Sequence, residues 1–155
     1  MEFKNLEDII AFAIEKEKEA AEFYETLSTQ ERFSGKKRML LEFSEQERKH
    51  QKMLEDLGAG KVERKLDEYK FKWITDIKRS DYVEDVDYHP GLGFKELVML
   101  AMKREEKALK LYNELLANAQ TEDQKKVFKI LCQEEAKHKL SLETMYDDFM
   151  AQMGD

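Results

Sequence analysis

Glu17, Glu47 and His50 recur as Glu105, Glu135 and His138, each pair 88 positions apart in the numbering. Tyr24 with Tyr112 and Leu27 with Leu115 keep the same interval. Two of the chain's three histidines belong to this repeat, each three residues after a glutamate, in EQERKH (45–50) and QEEAKH (133–138). Carboxylate and imidazole are metal-binding groups. Four of the first and two of the second, duplicated at one spacing, are what two neighbouring metal ions require.

Such groups need elements that bring them together. Apolar residues from Leu6 to about Gln30 fall at helical spacing, with Asn5 as a cap and Glu7 and Asp8 in the first turn, where the helix dipole favours acids. Ser34 is the expected cap of a second helix, which runs through Phe43, Glu47, His50 and Leu57 to a stop at Gly58-Ala59-Gly60. A third helix begins at Phe94. Thr121-Glu122-Asp123-Gln124 has the form of a capping box that opens a fourth. The short links place antiparallel hairpins at 5–58 and 94–150, joined by a crossover over 59–93. Tyr69, Phe71 and Trp73 alternate with lysines there, which predicts an extended stretch with one face covered, and His89-Pro90-Gly91 is a turn signal. Phe71, Trp73, Ile74 and Ile77 are expected to bury, Trp73 in crossover packing or a dimer contact. The fold expected is all-α: one domain over 1–155, a four-helix bundle with a long crossover between helices 2 and 3 and an internal pseudo-two-fold repeat.

Within a helix, positions three apart share a face, so Glu47 points with His50 and Glu135 with His138. Small residues near Glu17 (Ala13, Ala20, Ala21) and near Glu105 (Ala101, Ala108) leave room around them. Four ionised carboxylates in an apolar interior lose hydration and repel one another, and two divalent cations cancel that charge. Oxygen and nitrogen donors without thiolates suit iron or manganese and accept zinc. A single E-x-x-H in so glutamate-rich a chain means little, and Glu19, Glu106 and Glu134 read as solvated helix faces. The matched pair, each with its own Glu-to-Tyr spacing, is the signal.

Through AIEKEKEAAEFY (13–24) with EQERKH, and AMKREEKALKLY (101–112) with QEEAKH, the chain resembles the rubrerythrin branch of the ferritin-like di-iron carboxylate superfamily. The resemblance covers both halves. It implies two iron ions per chain, with Glu17 and Glu105 as terminal ligands, Glu47 and Glu135 bridging, and His50 and His138 binding one metal each. Rubrerythrins proper also carry a four-cysteine rubredoxin domain, which this sequence does not show. They have a further glutamate one turn beyond the third-helix ligand, where Ala108 stands here.

Composition narrows the function further. The 155 residues suit one domain with an apolar core, and one proline, six glycines and 39% charged residues favour long helices. A formal net charge of −7 argues against general nucleic-acid binding. One cysteine cannot build a disulfide framework or an iron–sulfur site. No apolar run approaches the roughly 18 residues of a membrane span, and Met1-Glu2-Phe3-Lys4 does not begin a signal peptide, so a soluble cytoplasmic protein is expected. Tyr24 and Tyr112 are candidates to hydrogen-bond a ligand carboxylate. Cys132, His89 and the methionines read as packing or turn residues. The function expected is a non-haem di-iron oxidoreductase acting on hydrogen peroxide or dioxygen, with an external donor such as a rubredoxin-like protein, as a homodimer. Ferrous-iron handling is the alternative, and a structural module pinned by metal is the third reading.

Overall fold

Asn5 opens the first helix as expected: its side-chain oxygen accepts the N–H of Asp8 at 2.9 Å, which satisfies one donor that a helix start leaves over. The computed structural model describes residues 5–74, 76, 78, 89 and 91–153, so expectations placed on residues 1–4, Ile77 and Pro90 lie outside the described residues. Helix α1 spans Leu6–Gln30, α2 Ser34–Gly58, α3 Phe94–Ala117 and α4 Glu122–Met153; a short 3-10 helix, Arg64–Glu68, follows α2. No strand occurs among the described residues, and none of their helices is long and apolar enough to cross a membrane. The chain groups into two compact units, Met1–Tyr69 with Ala119–Val127, and Lys70–Asn118 with Phe128–Asp155.

In the first unit α1 and α2 form a hairpin. Ser34 is not its cap: Phe33 holds that place with no side-chain hydrogen bond, and Ser34 is already helical. The reason is local. The Glu31 carboxylate accepts the N–H of Phe33 at 3.0 Å, which turns the three-residue link one position early. At the far end Gly60, at φ +72°, donates to the Leu57 carbonyl while Lys61 donates to that of Asp56. This paired closure needs the left-handed backbone that glycine adopts without steric cost. Tyr24 packs edge-on against Phe43 with centroids 5.4 Å apart, and Ser44 Oγ donates to the Ala21 carbonyl at 2.8 Å. The capping box at the start of α4 is present: Gln124 N–H reaches Thr121 Oγ1 at 3.1 Å, and Gln124 Oε1 accepts from the Thr121 and Gln120 amides. Lys126 pairs with Asp67 of the 3-10 helix.

In the second unit Phe94 and Phe149 lie 5.9 Å apart, centroid to centroid, at the start of α3 and the end of α4. The turn before α3 has the expected chemistry: Gly91 stands at φ +92° and Leu92 N–H reaches the His89 carbonyl at 3.4 Å. The crossover segment is without helix over Tyr69–Ile74, but its burial is not as expected. Trp73 is 89% exposed and Phe71 45%, while Ile74 is half-buried. The face against α4 is held by polar groups instead, the Lys72 amide donating to Gln133 Oε1 at 3.2 Å.

The repeat extends through the core. Ile10 with Val98, Ala13 with Ala101, Leu40 with Phe128, Phe43 with Leu131 and Leu54 with Leu142 are all buried and all keep the ligand interval. Each hairpin therefore presents its glutamates and histidine from the same apolar frame.

Candidate metal centre

Glu17 comes from α1, Glu47 and His50 from α2. All three are buried to 2% exposure or less. His50 Nδ1 lies 3.5 Å from Glu17 Oε2 and 3.6 Å from Glu47 Oε2. One donor atom from each residue lies within 4.8 Å of the others. Two ligands each about 2.1 Å from an ion stand about 3 Å apart at right angles and about 4.2 Å apart when opposed, so small side-chain movements suffice to close this set on a cation. Ala13 and Ala21, both without exposure, make the neighbouring surface small and apolar.

The second unit repeats the arrangement with Glu105 from α3 and Glu135 and His138 from α4, again at 2% exposure or less. His138 Nδ1 lies 3.8 Å from Glu105 Oε1, and one donor atom of each residue falls within the same 4.8 Å limit. Ala101 is fully buried and Ala108 half-buried beside Glu105 on α3.

The donor sets fit a divalent transition cation. Two carboxylates facing one imidazole leave a triad negative even when the histidine is protonated, in a place where an uncompensated charge is costly. A divalent ion cancels that charge and is matched to oxygen and imidazole nitrogen. The six predicted ligands thus fall into two buried triads, one per unit. Tyr24 and Tyr112 are each buried to 1% exposure.

Two charged residues escaped the sequence reading. Lys139 and Glu143, on α4, are exposed by only 5% and 0%. Lys139 Nζ donates to Asp76 Oδ1 at 2.7 Å and lies 3.4 Å from Glu143 Oε1. Burial lowers the lysine pKa, but the hydrogen bond to Asp76 and the charge of Glu143 outweigh it and hold the group above its ordinary value. Burial likewise raises the carboxyl of Asp76, yet the bond from Lys139 leaves it below the usual range. The signal was there: Glu135, Lys139 and Glu143 recur every four residues, along one face of α4.

A protein-family profile, Rubrerythrin, matches residues 8–146. The chain belongs to the rubrerythrin family. That membership, with the four helices of the described residues, makes the fold an all-α, ferritin-like four-helix bundle, the class expected. Among solved structures, a hypothetical protein from Pyrococcus furiosus is similar in fold, with a TM-score of 0.70, 24% identity, and coverage of 93% of this chain and 89% of that one. Comparison with curated proteins returns no match. For a member of the rubrerythrin family, buried glutamate–histidine clusters are candidate metal-binding groups by both family and chemistry.

Proposed function

We propose that Glu17, Glu47, His50, Glu105, Glu135 and His138 bind two iron ions per chain, and that the protein reduces hydrogen peroxide or dioxygen with electrons from an external donor. The observation that carries this reading is the duplicated triad, two carboxylates and an imidazole buried in each hairpin at matched positions. Family membership supports iron over manganese or zinc. A reduced iron pair supplies two electrons together, the number that converts hydrogen peroxide and two protons into two waters.

In this reading, as the family resemblance implies, Glu17 and Glu105 would serve as terminal ligands, Glu47 and Glu135 would be shared between the ions, and His50 and His138 would each hold one. Carboxylates suit a centre that changes charge, because each can bind through one oxygen or two. The helix spacing holds each E-x-x-H pair on one face, and the buried neighbours Ala13, Ala21 and Ala101 keep water away. Tyr24 and Tyr112, buried two turns beyond Glu17 and Glu105, are assigned to hydrogen-bond a ligand carboxylate. Ala108 offers no donor atom, so the work falls on six ligands. One domain, acting as a homodimer with a rubredoxin-like donor in the cytoplasm, completes the proposal.

The test is metal analysis of protein purified without added metal, followed by stopped-flow mixing of the anaerobic diferrous protein with peroxide. About two irons per chain and oxidation faster than that of free ferrous ion are expected. Oxidation no faster than the free ion overturns the peroxidase reading. Ferric product retained by a cage of many subunits, seen by light scattering, turns it into iron storage.

A further inference from the structure

The crossover carries an exposed surface that the metal site does not use. Phe71 lies beneath Lys129 of α4, whose Nζ stands 4.6 Å from the ring centroid. The Lys72 amide bonds Gln133, and Asp76 bonds Lys139. Ten residues of helix advance about 15 Å, and five extended residues span about 17 Å. Phe71, Lys72 and Asp76 therefore mark a strap that keeps pace with α4 from Lys129 to Lys139, pinned at those three residues. Between those pins α4 carries Glu135 and His138. Gln133 is two residues before the first, and Lys139 directly follows the second.

On its outer side the strap shows Trp73 at 89% exposure and Phe71 at 45%, flanked by exposed Lys70, Lys72 and Lys129. No acidic residue occurs from Tyr69 to Ile74, and among the described residues none of these three lysines makes an ion pair. This is an aromatic centre inside a cationic rim, on a chain of net charge −7. Tryptophan at the middle of a patch is the residue type that most often dominates binding energy. A second copy of the chain is a poor occupant, because a two-fold contact would set Lys70, Lys72 and Lys129 against their own counterparts. A nucleic acid would meet the repulsion of the remaining surface. An acidic protein also meets that repulsion, but its compact charge can be steered to one favourable patch.

We propose that Lys70, Phe71, Lys72, Trp73 and Lys129 form the docking surface for a small acidic electron-carrier protein, which delivers electrons one at a time at the helix that bears Glu135 and His138. This rests on the proposed need for an outside donor. Two successive dockings, each passing one electron, return two ferric ions to the ferrous state. Aromatic exposure gives the contact its apolar centre, and the lysines orient the carrier.

The probe is a rubredoxin of net negative charge. Its zinc-substituted form, which carries no electron, measures binding by calorimetry to the metal-loaded protein. Its reduced iron form measures the rate of reduction in stopped flow. Wild-type binding should weaken about tenfold or more between low and high salt. Trp73→Ala should weaken it about tenfold, and combined Lys70→Glu, Lys72→Glu and Lys129→Glu by about a hundredfold. Oxidation of dithionite-reduced protein by peroxide should stay within about twofold in every variant, since none of these residues is a ligand. Binding and reduction that ignore the charge reversal overturn the proposal. So does loss of a dimer in Trp73→Ala, or preference of the patch for an oligonucleotide over rubredoxin. If peroxide fails to oxidise the wild type, the proposed function falls, while the calorimetry still decides the docking surface.

Discussion

Cys132 holds in the second hairpin the place that Ser44 holds in the first, and its partner Asn113 stands where Glu25 stands. Ser44 Oγ lies 3.1 Å from Glu25 Oε1, and Cys132 Sγ 3.6 Å from Asn113 Oδ1. The cysteine is thus the counterpart of a structural hydrogen bond, and burial raises its thiol to about 11. A protonated thiol is a poor nucleophile. Labelling by a disulfide reagent at pH 7 should be far slower than for a free thiol, and Cys132→Ser should leave bound iron unchanged by elemental analysis. The ligand glutamates behave differently. Glu47→Gln removes one of the like charges crowded in the metal-free protein and also removes a ligand. We expect apo stability to rise by on the order of 1–3 kcal/mol and iron stoichiometry to fall, as read by urea melts with chelator and by metal analysis. An apo protein weakened by Glu47→Gln would mean that the carboxylate is held by hydrogen bonds rather than by a metal.

At the level of the helices, α1 and α2 are tied by Arg48, whose guanidinium lies 2.8 Å from Glu25 Oε1. That hydrogen bond, aided by Ser44, holds the Glu25 carboxyl below its ordinary range despite some desolvation. A lowered folded-state pKa contributes stability that is present above the ordinary carboxylate value and lost as pH falls through the lowered one. Glu25 is half-exposed, so solvent keeps the term small. At pH 7 Glu25→Gln should cost at most about 1 kcal/mol, with the difference vanishing in acid, measured by urea unfolding of metal-free protein. The start of α4 rests on Thr121 and Gln124. Thr121→Ala should cost about 1 kcal/mol in the same assay, because a helix donor then loses its acceptor.

For the molecule as a whole, metal and folding are linked. The triads need native hairpins, so an ion that binds them binds the folded chain and not the unfolded one. Iron at a hundred times its dissociation constant should add about 2.7 kcal/mol for each site, visible as a melting temperature that rises with free ferrous ion under anaerobic conditions. A melting temperature indifferent to iron would leave the buried carboxylates without their counter-charge. The net charge of −7 acts at this scale too, repelling acidic partners everywhere except at a locally basic patch.

The buried glutamate–histidine clusters, the four helices and the family were legible in the sequence because each depends on rules of type and spacing. Metals accept few side chains, a helix returns to one face every three or four residues, and Asn5 and Thr121 announce helix starts by their own hydrogen bonding. The 88-residue interval added a check that one E-x-x-H could not provide. Tertiary structure decided the rest, because periodicity says which face a residue occupies and not what comes to cover it. Lys139 and Glu143 became buried since a lysine and two carboxylates, one of them Asp76 of the crossover, could satisfy one another. Trp73 stayed in water since the strap meets α4 through the backbone of Lys72 and the carboxylate of Asp76. Ser34 lost its capping place to a side chain three residues away. In each case the outcome turned on a neighbour that the local sequence does not name.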